Sequence, residues 1–191
     1  MSVDRRNYFS EMIVDKSWTL FLDRDGVINK ELRKDYVKTW DDFQFEEGAL
    51  TALAKLNTLF GNIVVVTNQR GVGAGIMTEE SLQTIHQRML DEIHKNNGRI
   101  DKVYFAPEED RLHLHRKPNP TMGYLAKNDF PEIDFSKSVM VGNSISDLEF
   151  GRALGMVTVF IDEKKKYNAT KTEEMDYIFF TLAEFASICE R

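Results

Sequence analysis

The chain has 191 residues, 42% hydrophobic and 29% charged, with 25 Lys plus Arg against 31 Asp plus Glu and a net charge of −6. That balance fits one globular domain spanning residues 1–191, and it argues against a nucleic-acid surface, which needs a basic stripe. The single cysteine, Cys189, excludes an internal disulfide and fits a reducing, cytoplasmic setting, and no apolar run reaches membrane-spanning length.

Residues 1–17, "MSVDRRNYFSEMIVDKS", carry acids inside short apolar stretches and read as an N-terminal extension rather than a signal peptide. A first strand is expected at Thr19–Leu22, broken at once by Asp23, Arg24, Asp25 and Gly26. Charges are costly in a core, so both carboxylates must lie at the strand's mouth. "EEGALTALAKLNTLFG" puts Leu50, Leu53, Leu56 and Phe60 on one helical face, with Gly61 as a stop. A strand over Ile63–Thr67 runs into "TNQRGVGAG", read as a glycine-rich turn. Thr78 is a good N-cap for a helix with Leu82, Ile85, Met89 and Ile93 on one face. Strands follow at Lys102–Phe105, Val139–Val141 and Val157–Ile161, with helices after Pro118 and over Asp147–Leu154. The tail "DYIFFTLAEFASICER" reads as a short strand and a closing helix.

Such alternation implies an α/β fold with a mainly parallel sheet between two helical layers. Ligands of these sheets bind beyond the carboxyl ends of the strands. There the chain places Asp23 and Asp25, then Thr67, Asn68 and Gln69, then Asn143, Ser144 and Asp147. Arg116 and Lys117 sit in a loop near the same edge. A carboxylate beside a cation can act as a nucleophile, and a second acid can protonate a leaving oxygen and then activate water. Taken alone, "DRDG" reads equally as a solvated strand–loop junction with an Arg24 ion pair. "TNQRGVGAG" alone reads as a turn whose glycines supply positive φ. Lys117 alone is one more lysine.

Together, "DRDG", Thr67, Lys117 and "VGNSISD" resemble the four motifs of the haloacid dehalogenase (HAD) phosphatase superfamily. "DRDGVIN", "DYVKTWDDFQFEEGA", "VVVTNQRGVGAGIMT", "RKPNPTMG" and "ALGMVTVFI" extend the likeness over most of Trp18–Ile161. They look like subfamily IIIA, the branch with histidinol-phosphate and heptose bisphosphate phosphatases. The resemblance implies a three-layer Rossmann-like core without a separate cap domain, and a Mg²⁺-dependent phosphomonoesterase acting on a small phosphorylated metabolite. Asp23 would be the nucleophile and Asp25 the general acid and base. Mg²⁺ would be held by the Asp23 carboxylate, the Asp25 carbonyl and Asn143. Thr67 and Lys117 would hold phosphoryl oxygens, with Asn68, Gln69 and Arg116 facing the substrate. A nucleic-acid 3′-phosphatase and a catalytically weakened binding module are the alternatives.

Two departures stand out. Motif four usually offers an aspartate where this chain has Asn143, a weaker ligand for a hard cation. Asp147 could compensate through water or by orienting Lys117, or could simply cap the following helix. Many members of the branch also carry a zinc loop of three cysteines and a histidine. Here Ala106, Glu108, His113 and His115 occupy the corresponding stretch, so the loop is expected to order without zinc, although Glu108 or Asp110 with both histidines would make a poor substitute site.

Overall fold

A parallel sheet needs crossovers, and the sequence supplies them as helices between strands. The computed structural model describes residues 14–32, 35–110, 112–162 and 175–189. In chain order these form β1 (Thr19–Leu22), α1 (Ala49–Leu59), β2 (Asn62–Asn68), α2 (Arg70–Gly73), α3 (Glu79–Lys95) and β3 (Lys102–Ala106). Then come α4 (Thr121–Asp129), β4 (Ser138–Gly142), α5 (Ile145–Leu154), β5 (Val157–Ile161), β6 (Tyr177–Phe179) and α6 (Leu182–Cys189). The expected N-terminal extension lies, up to residue 13, outside the described residues.

The sheet is wholly parallel, not mainly so, in the order β3-β2-β1-β4-β5-β6. That is the doubly wound order, in which the chain reverses direction across the sheet at β1, leaving a crevice beyond the β1 and β4 ends. Side chains alternate along each strand. Leu20 and Leu22 therefore join one core with α1, α3 and α6, including Leu53, Leu56, Ile85 and Phe185. Phe21, Val64 and Val66 point the other way, against Met122 and Ala126 of α4 and Phe150 and Leu154 of α5. Both faces of β1 are buried, which is why it reads as an unbroken apolar run. Among the described residues the segment between β1 and α1 adds only a 3-10 turn at Trp40–Asp42. No helix among the described residues is long and apolar enough to cross a membrane.

One element differs from the expectation. "TNQRGVGAG" is not a free turn, because Arg70–Gly73 forms α2. Its glycines serve close approach more than positive φ: a Cβ on Gly73 would meet the Pro107 carbonyl oxygen at 2.3 Å, and one on Gly71 the Tyr36 ring at 3.1 Å. Only Gly75 of the three has positive φ, +67°.

Candidate active site

The mouth of β1 is built by one extra backbone bond and a tight turn. Leu22 is flanked by Val65 and Val141, and the Asp23 amide continues the ladder to the Val141 carbonyl at 2.9 Å. The chain then folds back, with the Arg24 carbonyl accepting from the amides of Val27, Ile28 and Asn29. Gly26 adopts φ +82°, a conformation that favours glycine. A Cβ there would come within 1.9 Å of the Asn143 side-chain nitrogen. Glycine thus lets the β4 loop lay its amide directly on the turn of the two acids.

Behind Asp23 lies a buried charge triad. Lys117 Nζ is 3.0 Å from Asp23 Oδ1 and 2.6 Å from Asp147 Oδ1, and donates to the Val66 carbonyl at 2.7 Å. Its three protons are used, as burial of an ammonium requires. Burial works against its charge, but Asp147 and Asp23 carry Lys117 above the ordinary lysine range. Asp147 serves two ends. Oδ1 faces Lys117, while Oδ2 accepts from the amides of Asn143 and Ser144 and from Ser144 Oγ. Of the three sequence alternatives for Asp147, contact with the lysine and capping of α5 are thus met by one side chain.

Asp25 is held differently. Arg24 and Asn29 donate to Oδ1 at 3.0 and 2.9 Å, and Gln69 Nε2 donates to Oδ2 at 2.8 Å while reaching Thr67 Oγ1 at 2.9 Å. Burial raises the Asp25 pKa, yet the Arg24 charge and these hydrogen bonds take it below the usual carboxylate value. Asp23 goes the opposite way. Burial, opposed by Lys117 and reinforced by Asp147 and Asp25, raises it to about 7. Residues absent from the sequence-based site now enter it. Asn29 touches Asp25 directly, and His86 of α3 meets Arg24 NH1 at 3.1 Å. His86 gives no signal in the sequence, because it lies on the buried stripe of an amphipathic helix.

Asn68 is turned toward the lysine loop. Its Oδ1 accepts from the Lys117 amide at 3.0 Å and its Nδ2 donates to the Lys117 carbonyl at 3.2 Å. Arg116 NH1 donates to the Glu108 carbonyl at 3.1 Å. In the same loop, Glu108 Oε1 lies 3.3 Å from His113 Nδ1 and 3.4 Å from His115 Nδ1, and their ligand atoms gather within 4.8 Å. Asp110 is not in this group. Three ligands fall one short of a closed structural zinc set.

Charge decides what the crevice suits. Asp23, Asp25 and Asp147 set three carboxylates against Lys117 and Arg24, and the two neighbouring acids add to burial in raising Asp23. Asn143 makes no side-chain hydrogen bond among the described residues. Carboxylate, carbonyl and amide oxygens together match the donor preference of a hard divalent cation. Such a cation would lower Asp23 again.

The model of the polynucleotide kinase 3 phosphatase family matches residues 19–183. The D-glycero-alpha-D-manno-heptose-1,7-bisphosphate 7-phosphatase of Mycobacterium tuberculosis (strain CDC 1551 / Oshkosh) is 36% identical over 172 residues, covering 88% of this chain and 90% of the relative. The D-glycero-beta-D-manno-heptose-1,7-bisphosphate 7-phosphatase of Salmonella typhi is 30% identical over 181 residues, covering 90% and 95%. Among solved structures, D,D-heptose 1.7-bisphosphate phosphatase from B. bronchiseptica, complexed with magnesium and phosphate, aligns with TM-score 0.79 at 26% identity, over 89% of this chain and 96% of that one.

Proposed function

The chain belongs to the polynucleotide kinase 3 phosphatase family of HAD-like phosphatases and is a phosphoric monoester hydrolase; within that family we propose that it removes the 7-phosphate of a D-glycero-D-manno-heptose 1,7-bisphosphate. The observation that carries the chemistry is Asp23, one residue beyond β1, with Lys117 behind it and Asp25 beside it. In the proposed reaction an Asp23 oxygen attacks phosphorus, and the bond from phosphorus to the sugar oxygen breaks. Asp25 gives that oxygen its proton. Asp25, now a carboxylate, takes a proton from water, whose oxygen attacks the aspartyl-phosphate and releases Asp23 and inorganic phosphate. Lys117 and Thr67 face the oxygens on which negative charge gathers.

In the ligand-free protein the two acids titrate against these roles, with Asp23 raised and Asp25 lowered. Arrival of a phosphate dianion raises a neighbouring carboxyl, which gives Asp25 its working proton. The Asp23 carboxylate, the Asp25 main-chain carbonyl and the Asn143 amide oxygen would hold Mg²⁺. Bound there, it would supply positive charge to the phosphoryl oxygens and keep Asp23 ionised.

Asn143→Asp is expected to lower the Mg²⁺ concentration for half-maximal activity about tenfold, since carboxylates bind hard cations more strongly than amides. Magnesium titrations of both proteins decide it. An unchanged midpoint would mean that residue 143 is not a ligand.

The family's descriptive name favours a second reading, a nucleic-acid 3′-phosphatase. The net charge of −6 speaks against it, because phosphate backbones select basic surfaces. Phosphate release should be compared across heptose 1,7-bisphosphate (both anomers), histidinol phosphate and a 3′-phosphorylated oligonucleotide. The heptose is expected to show the highest kcat/KM, and a higher value on the oligonucleotide would reverse the assignment. Absence of turnover on every substrate would favour the binding-module alternative. With Cys189 as its single cysteine the chain can form no internal disulfide, which supports a reducing, cytoplasmic site of action.

A further inference from the structure

Arg24 is the largest fully buried side chain of the described residues. NH2 holds Asp25 Oδ1 at 3.0 Å, NH1 meets His86 Nε2 at 3.1 Å, and Nε has no partner. A guanidinium has only donors, so Nε2 is the acceptor and the imidazole proton sits on Nδ1. His86 is 6% exposed, on a helix face otherwise made of Leu82, Ile85, Met89 and Ile93. The edge of its ring packs on Phe105, centroids 5.9 Å apart. Burial and the Arg24 charge push the imidazole down to about 3, which keeps the acceptor lone pair free. An imidazole buried only for packing would be costlier than a leucine at that position.

We propose that His86 is a positioning residue for hydrolysis: by accepting from Arg24 NH1 it fixes the guanidinium that orients the Asp25 carboxyl for proton transfer. The inference rests on Asp25 being the general acid and base. Asp25 Oδ1 is held by Arg24 and Asn29, and Oδ2 by Gln69. Proton transfer needs one carboxyl oxygen aimed at the leaving group, and rotation of the carboxyl loses that aim. Without His86, two buried Arg24 nitrogens, NH1 as well as Nε, would lack acceptors, and the guanidinium would leave its place to find water.

The test compares an alkyl phosphate, whose leaving oxygen needs a proton, with p-nitrophenyl phosphate, whose leaving group does not. His86→Leu and His86→Phe both remove the acceptor, and the phenyl ring keeps the contact with Phe105. His86→Gln restores an acceptor. Expected is an about tenfold lower kcat on the alkyl phosphate for the Leu and Phe variants, with KM and the p-nitrophenyl rate within about twofold. His86→Gln should recover most of the alkyl rate. Equal losses on both substrates, no loss, or a Gln variant as slow as the Leu variant would each overturn the proposal. Asp25→Asn run alongside separates the two failures. If Asp25→Asn is selective for alkyl phosphates and the His86 variants are not, only the His86 role falls. If Asp25→Asn slows both substrates equally, the acid role falls and this inference falls with it.

Discussion

Asp23→Asn is expected to abolish phosphate release, by at least about 10⁴-fold in kcat, while the protein folds and melts cooperatively. An amide nitrogen or carbonyl oxygen cannot form the aspartyl-phosphate, and no other carboxylate occupies that place. Asp25 is clamped by Arg24, Asn29 and Gln69, and Asp147 is committed to Lys117 and the α5 cap. The amide oxygen of the substituted side chain would still accept from Lys117. Stability should move the other way. The Asp23 pKa is raised from 3.8 to about 7 in the folded protein. Between those values the folded state binds the proton and the unfolded state does not, so stability falls as pH rises through that window. Asparagine removes the loss. In metal-free buffer, Asp23→Asn should therefore melt higher than wild type at pH 7.5, by a few kcal/mol of stability at most, with the gap closing toward pH 4. Wild-type-like turnover would overturn the nucleophile assignment, and a gap that widens toward pH 4 would overturn the electrostatic account.

That pairing of lost activity with gained stability is the usual signature of a site assembled against folding preference, with like charges held together by the surrounding fold. Here the holders are the rigid strand ends. β1, β2 and β4 run into polar residues at one edge, and their registers set Asp23 one residue short of the level of Thr67 and Asn143, so the three come together without a long loop.

Much of this is legible in the sequence, because β-branched runs buried on both faces leave few alternatives. β1 and β5 have the expected bounds, and β2, β3 and β4 extend by one or two residues. The site residues at strand ends can be gathered because parallel strands deliver their carboxyl ends to one edge. Residues whose role depends on a partner far along the chain are not legible. His86 meets Arg24 across 62 positions, and Asn68 meets Lys117 across 49. Neither pairing leaves a local pattern. α2 escapes a sequence reading for a related reason: its glycines answer to Tyr36 and Pro107, which approach from other segments. In the loop of His113 and His115 the sequence offers Glu108 or Asp110 as the acid beside the two histidines, and only the fold selects Glu108.

Lys117→Met should cost both activity and stability, and a second substitution separates the two. With the ammonium gone, Asp23 and Asp147 face each other without a counter-charge, Asp147 only 1% exposed. Breaking a buried ion pair from one side costs about 3–5 kcal/mol, most of it from the charge left behind. Methionine fills much of the volume, so packing adds little. Asp147→Asn in the same chain removes one stranded charge, and its amide oxygen can still take the α5 cap bonds from Asn143 and Ser144. The double variant is expected to regain at least half of the lost stability, a non-additive result for residues in one network. Turnover should not return. In the proposed reaction Lys117, paired with Asp23, lends its charge to the phosphoryl oxygens, and removal of such a group costs about 10²–10³ in kcat. Denaturation midpoints and phosphate release for the two single variants and the double variant complete the cycle. Additive stability losses would mean that the lysine matters for packing instead of charge, and recovery of kcat with stability would move Lys117 out of the proposed phosphoryl site.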